Sequence, residues 1–474
     1  MRSHLILPLI LLCTTAEFGV RPHAAESNTA EQASVGNAIE NEQPASPFVV
    51  HEWGTFTTFS GSDGVFLEFR PLADEANDLP AFVANRASNL ALSVFSKARI
   101  RGKVRMETPV TYFYTDRVRT VDVRVDFPKG LLTEFYPPPR KMLPAFDQKA
   151  AYGKGEPIGN SSLDWGQLTL IPVDKMAPPI AEEDRHRVAQ RIVNALLPRG
   201  NHDGHYVQAR ATDSAIVHLH QKAQPSLQTK SELWPQWIAG QSDRDYFEKF
   251  LFYRGVGKFE LPLRSVVNDD DRVSLENNGA FIMPGAVLIE IRDGNMKAAT
   301  LEAVSANQSS EFPGVRDVTE TELSRLVQQL LVAQGLYEKE ASAMVETWKA
   351  SWFHEEGTRV LYIVPETLTD ELLPLTVKPV PDETLRVLVG RMELMSPANE
   401  RELVEAVRKH YQHRIQIASD SPEEKQSVLA IPEEIQRYGR MMEPALVRIS
   451  KVSGDHVVRT EAERLIAQIR TPTP

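Results

Sequence analysis

Hydrophobic and polar positions change their spacing several times along this chain. From Phe48 to Gly64, FVVHEWGTFTTFSGSDG reads as a strand with two faces, because successive side chains point to opposite sides. Phe48, Val50, Glu52 and Phe56 share one face; Val49, His51, Trp53 and Thr55 share the other. Glu52 thereby sits among large apolar residues, where a buried carboxylate needs a cation, a metal or several donors. A bulge at Gly54 would instead break the parity and return Glu52 to water.

Alternation of period two is clearest at Val121, Val123, Val125 and Phe127, interleaved with Asp122, Arg124 and Asp126. The nearest partner is Val110–Tyr114, joined through the polar turn TDRVRT. Further strands are expected at Leu168–Val173, Tyr206–Ala211, Ala215–His220, Phe250–Arg254, Lys258–Leu263 and Ala286–Arg292. The last turns through Asp293-Gly294 into Met296–Val304 as a hairpin. Helical spacing interrupts the strands over Asp78–Lys97 and again at Val188, Ile192 and Leu196.

At Thr319 the period becomes helical. Thr319 and Glu322 form a capping box ahead of Leu323, Leu326, Val327, Leu330 and Leu331, and Gly335 ends that helix. A second helix over Glu338–Trp352 completes a helical hairpin. Strands return at Arg359–Val364 and Leu385–Val389, and a helical region runs from Ser396-Pro397 to Arg470 with a second start at Ser421-Pro422. These patterns predict an α+β fold, mainly antiparallel β as a layered sheet or sandwich, with a helical hairpin and a helical C-terminal region. The segments are a β-rich domain over 48–315, the hairpin plus returning strands over 316–395, and the helical region over 396–474.

The N-terminus reads differently. MRSHLILPLILLC joins Arg2 to an apolar run of signal-peptide length, so residues 1–25 are expected to be a signal peptide and 26–47, rich in Ala, Glu, Asn and Ser, a disordered spacer. Cleavage after Ala16 or after Ala25 both fit. Export to the periplasm or beyond the cell follows. Cys13 is the only cysteine and leaves with the signal, which excludes disulfides, thiolate nucleophiles and cysteine-ligated zinc from the mature chain.

Composition narrows the partners. A net charge of −11 over 474 residues leaves no basic surplus for phosphates, which argues against nucleic acid, and the mature chain shows no transmembrane segment.

Several constellations could carry chemistry. Gly200-Asn201-His202-Asp203 resembles the GNHD block of calcineurin-like metallophosphoesterases, yet the upstream metal-binding blocks of that family are missing in the required order. His218 and His220, two apart on a strand, could chelate a metal together with His202; the competing reading buries Val217 and Leu219 and leaves the histidines in water. In FLFYRGVG, Arg254 falls on the face of Phe250 and Phe252, so Glu52 and Arg254 are expected to neutralise each other. Trp53, Tyr253 and Arg254 are the binding candidates, and His51 and Glu52 the catalytic ones. Glu107 and Glu134 are further carboxylates for hydrolysis, with Trp53, Trp165, Trp234 and Trp237 as possible sugar-stacking faces.

HEWGTFT at His51–Thr57, METPVTYFY at Met106–Tyr114, EKFLFYRGVG at Glu248–Gly257 and EEGTRVLYIVP at Glu355–Pro365 together resemble a family of exported bacterial proteins that opens with an HEWGTFT motif. The resemblance implies no established activity, substrate or catalytic residue. The resulting expectation is an exported soluble protein, a non-catalytic envelope or extracellular binding protein with a protein or polysaccharide partner. The alternative is an exported hydrolase with a carboxylate or metal site near His51 and Glu52. No cofactor is expected, with a divalent metal left open.

Overall fold

The structure is a computed structural model that describes residues 47–70, 79–85, 101–144, 159–200, 205–223, 242–416 and 430–470. Strand β1 (Val49–Ser60) is buried along all 12 of its residues, because it lies inside a sheet covered on both sides. Among the described residues that sheet has ten strands. Its order is β16 (Arg316–Asp317), β14 (Asn295–Leu301), β13 (Ala286–Arg292), β17 (Gly357–Val364), β19 (Glu383–Leu394), β1, β3 (Val104–Tyr114), β10 (Leu251–Gly257), β5 (Gly130–Tyr136) and β2 (Ala84–Asn85). β1 pairs in parallel with β19 and antiparallel with β3.

Parity along β1 runs unbroken. Phe48, Val50 and Phe56 enter one apolar cluster and Trp53 enters another, on the opposite side of the sheet. The register shift opposite Trp53 and Thr55 places the extra residue on β3, at Thr108-Pro109, and not at Gly54. Gly54 is needed for a different reason: a Cβ there would meet the Pro109 backbone at 2.9 Å.

The first cluster is closed by two smaller sheets. One has six strands: β18 (Leu375–Lys378), β4 (Arg119–Phe127), β7 (Ser161–Ile171), β8 (Ile216–Gln221) and β9 (Arg244–Glu248), with β6 (Lys141–Leu143) beside β7. The other has three: β11 (Leu263–Val267), β12 (Val273–Asn277) and β15 (Gln308–Glu311). Val121, Val123, Val125 and Phe127 of β4 face this core, as their alternation requires. The expected hairpin between β3 and β4 does not form. β3 pairs with β1 and β10, β4 pairs with β7 and β18, and the polar link carries the chain from one sheet to the other.

The second cluster is closed by helices. Helix α2 (Glu320–Val332) starts with the capping box of Thr319 and Glu322 and buries Leu323, Val327 and Leu331. Gly335, at φ +102°, turns the chain into α3 (Glu338–Lys349), whose last turn continues as a π-helix over Ala350–His354. Each large apolar side chain buried between these helices and the sheet contributes about 1.5–3 kcal/mol. The strands after the hairpin rejoin the same sheet, so the change of period at Thr319 marks helices inserted between sheet partners. A third cluster joins Phe59, Leu67 and Phe69 to α4 (Pro397–Gln416), α5 (Met442–Val452) and α6 (His456–Arg470).

The fold is therefore α+β with antiparallel-dominated sheets. Local departures have identifiable causes. Tyr206–Ala211 is not a strand: His205–Gln208 is one helical turn, because Tyr206 packs against Phe250 and Phe252. Lys258–Leu263 is mostly loop, with β11 starting only at Leu263. β7 begins at Ser161 and ends before Val173. Helix α1 (Glu182–Leu196) buries Ala189 and Val193, one residue round from the face expected. Most of Asp78–Lys97 lies outside the described residues, and Ala84–Asn85 within it is a strand. The signal peptide, nearly all of the spacer and the Ser421 helix start also lie outside them.

Candidate functional site

Each pairing in the large sheet fixes which side chains share a face, so the site follows from register. At one level, Val387, Trp53, Val110 and Phe252 line up across β19, β1, β3 and β10 and lie under the helices. Further along the same face the apolar row ends. The next levels present Thr55 and Glu107, then Arg391, Thr57 and Arg105, then Arg359 and Glu393. Arg254 and Glu134, opposite each other on β10 and β5, extend this polar belt sideways.

The belt is buried and internally paired, as buried charge must be. Glu107 accepts from Thr57 Oγ1 at 2.5 Å, and its Oε1 meets Arg105 Nη1 and Arg440 Nη2 at 2.9 Å each. Arg391 reaches Glu393 at 2.6 Å through Nε and Glu355 at 2.7 Å through Nη2, while Arg359 Nε donates to Glu393 at 3.0 Å. Arg254 Nη2 lies 2.8 Å from His205 Nε2. Burial alone would raise the Glu107 carboxyl, but Arg105, Arg440 and Arg391 outweigh it and hold it below the usual carboxylate range. Burial, reinforced by Arg254 and Arg440 against the pull of Glu107, lowers Arg105 to about 9. Thr108, next to Glu107, holds φ at 49°, a strained conformation for a β-branched residue and one enriched at functional sites.

Above the belt is a cleft of about 360 Å³. Arg105, Glu107 and Arg254 form its floor; His205, Trp348, Glu355 and Arg440 stand around it. Thr347 and Trp348 line it, with Thr347 Oγ1 and Trp348 Nε1 themselves buried and without a hydrogen-bond partner among the described residues.

The residues singled out by sequence fall in different places. Glu52 is fully buried on the opposite face of the sheet, where Oε2 takes Arg386 Nε at 2.8 Å and Nη2 at 2.5 Å, and Oε1 accepts from Thr111 at 2.9 Å and from Tyr253. The expected Glu52–Arg254 pair is thus replaced by Glu52–Arg386. Glu52 and Tyr253 face the sandwich, whereas Arg254 projects to the helix side and lines the cleft. His51, on that helix side, is sealed against Glu340 at 2.8 Å. His51 and Glu52 therefore share no cavity. Trp53 is packed on Tyr112 in the second core, and Trp165 is in the first, its Nε1 donating to Pro137 at 2.7 Å.

His218 and His220 leave Val217 and Leu219 to the core and both meet one oxygen, Asp245 Oδ1, at 2.8 and 3.0 Å. Among the described residues no group of three or more His, Asp or Glu is arranged to hold a metal ion; His202, Trp234 and Trp237 lie outside them. Arg105, Arg359, Arg391 and Arg440 were not among the candidates. Of these Arg391 had a signal, since it interrupts the apolar run from Val387 to Met392 in a strand buried on both faces.

Family models and curated proteins give no match to the chain. Among solved structures, the yeast delta-COP-I mu-homology domain is similar at 7% identity and a TM-score of 0.24, over 74% of this chain and 99% of that chain. The same domain complexed with the Dsl1 WxWxV peptide gives 7% identity and a TM-score of 0.22, over 74% and 98%. Likeness at that level does not establish a shared fold.

Proposed function

We propose that this is an exported, non-catalytic binding protein whose cleft takes an anionic ligand. The observation that carries the reading is the concentration of guanidinium groups in one cleft of an acidic chain: Arg70, Arg105, Arg254 and Arg440 against Glu107, Glu355 and Glu443. Arg105 and Arg254 are rooted on adjacent strands, so their positions are set by the sheet. Sites preorganised in this way lose little entropy on binding. A planar carboxylate matches the guanidinium fork, and each charge-assisted bond formed contributes about 1.5–3 kcal/mol. Export rests on the apolar leader of the sequence, and no described helix is long and apolar enough to cross a membrane. Calorimetric titration of the protein with galacturonate tests the reading. Saturable, salt-sensitive binding is the expected result, and the absence of binding at low ionic strength sinks it.

A further inference from the structure

His218 and His220 lie two apart on β8, so their rings leave the same, outer face of the six-stranded sheet, while Val217 and Leu219 go to the core. Register with β9 sets Asp245 opposite His220 and Phe247 opposite His218. His218 stacks on Phe247, with ring centroids 4.5 Å apart and planes 8° from parallel, which holds the plane of its imidazole. From there Nε2 of His218 and Nδ1 of His220 converge on one atom, Asp245 Oδ1, at 2.8 and 3.0 Å. Asp243 stands behind them: its Oδ2 is 3.6 Å from His220 Nε2, and its Oδ1 accepts from the Ala223 amide at 2.9 Å. Charge does not carry the site, since Arg140 is beside it, donating to the His220 carbonyl at 3.4 Å. The donor set does.

We infer that His218, His220 and Asp245 form a binding site for one divalent ion of the zinc class. The site shares no residue with the cleft and stands independently of the anion-binding reading. As described, the three side chains are drawn together by hydrogen bonds and are not arranged around an ion. The change needed is small. Donor atoms around a tetrahedral zinc, each at about 2.0–2.1 Å from it, are roughly 3.3–3.4 Å from one another, so each nitrogen–oxygen separation has to open by only about 0.3–0.6 Å. The side chains can make that movement, because those of His218, His220 and Asp245 are 24%, 45% and 51% exposed. Two imidazole nitrogens and one carboxylate suit zinc and its neighbours, whereas calcium and magnesium require an all-oxygen shell. Asp243, close to the ring nitrogen of His220 that would not bind the ion, is placed to orient that imidazole. Water from the open face would fill the fourth position.

The test is calorimetric titration of zinc chloride into the full chain at neutral pH. Wild type should take up zinc saturably, with a dissociation constant below about 100 µM. The H218A/H220A variant changes only side chains that point outward, so it should keep the wild-type urea midpoint and lose one equivalent of zinc. D245N should weaken uptake by about tenfold or more. Calcium chloride should not compete. A readout that needs no variant is nuclear magnetic resonance of the wild type, in which the imidazole nitrogen signals of His218 and His220 should shift together on zinc addition. The site would be overturned by the absence of saturable uptake, by uptake undiminished in H218A/H220A, or by imidazole signals that stay where they were. Full affinity in D245N would contradict the part given to the carboxylate, and displacement of zinc by calcium would contradict the donor chemistry.

Discussion

Glu52→Gln is the sharpest perturbation of the fold, because the substitution keeps shape and removes only charge. The glutamine oxygen can still accept from Thr111 and Tyr253, which both bond Oε1. What is lost is the anion opposite Arg386, which bonds Oε2 at 2.8 and 2.5 Å with both side chains at most 2% exposed. A buried guanidinium stripped of its partner costs about 3–5 kcal/mol. Asp370 offsets little of this: it meets Arg386 Nη1 at 2.8 Å, but its side chain is 60% exposed, and pairs of that kind contribute about 0–1 kcal/mol. Urea unfolding of Glu52→Gln, Arg386→Met and the double variant should give two large single losses and a coupling of about 1–3 kcal/mol. A second cycle pairing Glu52→Gln with Arg254→Met should be additive, since those residues project from opposite faces. Coupling below about 0.5 kcal/mol in the first cycle, or above it in the second, would refute the assigned register.

Acid should destabilise the protein in a defined window. Glu107 and Glu393 are held below their ordinary 4.5 by nearby arginines that override burial, and Glu461 is held at about 2 by hydrogen bonds from His410, Arg414 and Arg464 that do the same. A depressed folded-state value means stability that is complete above 4.5 and lost as pH falls through the folded value, so the urea midpoint should hold from pH 7 to 5 and drop towards pH 2. A midpoint unchanged at pH 3 would contradict these ion pairs. Thr319→Ala removes the capping box of α2 and should cost about 1 kcal/mol of stability. The same change should leave ligand affinity alone, and a loss of affinity would tie α2 to the cleft in a way the fold does not suggest.

Local pattern carried far more of this structure than long-range pairing did. The strand read over Phe48–Gly64, which forms over Val49–Ser60, the β4 alternation, the Asp293-Gly294 hairpin and the Thr319 cap all depend on residues close in sequence. The partner of Glu52 lies 334 positions away, and nothing near Glu52 specifies it. Parity within β1 and within β10 was legible for Glu52 and Arg254 separately. Whether the two strands turned those residues to the same side depended on register through β3, including its bulge, and that was not legible. The β3–β4 link failed for a related reason: a short polar turn serves equally to close a hairpin or to pass between sheets. The arginine belt was visible only in part, because a charge inside an apolar strand signals a buried partner without saying which charges will meet.

The central claim is that Arg105, Arg254 and Arg440 form an anion site in the middle cleft, and it is tested most directly by titrating galacturonate into wild type, Arg440→Met and Thr319→Ala side by side. Arg440 reaches the cleft from outside the sheet and also pairs with buried Glu107, so its loss should cost some stability without unfolding the chain, checked by the urea midpoint, while removing a charge-assisted contact of about 1.5–3 kcal/mol, or roughly 10- to 100-fold in affinity. Binding weakened by that factor in Arg440→Met and retained in Thr319→Ala is the predicted result. Equal affinity in all three proteins would place the ligand elsewhere and contradict the account.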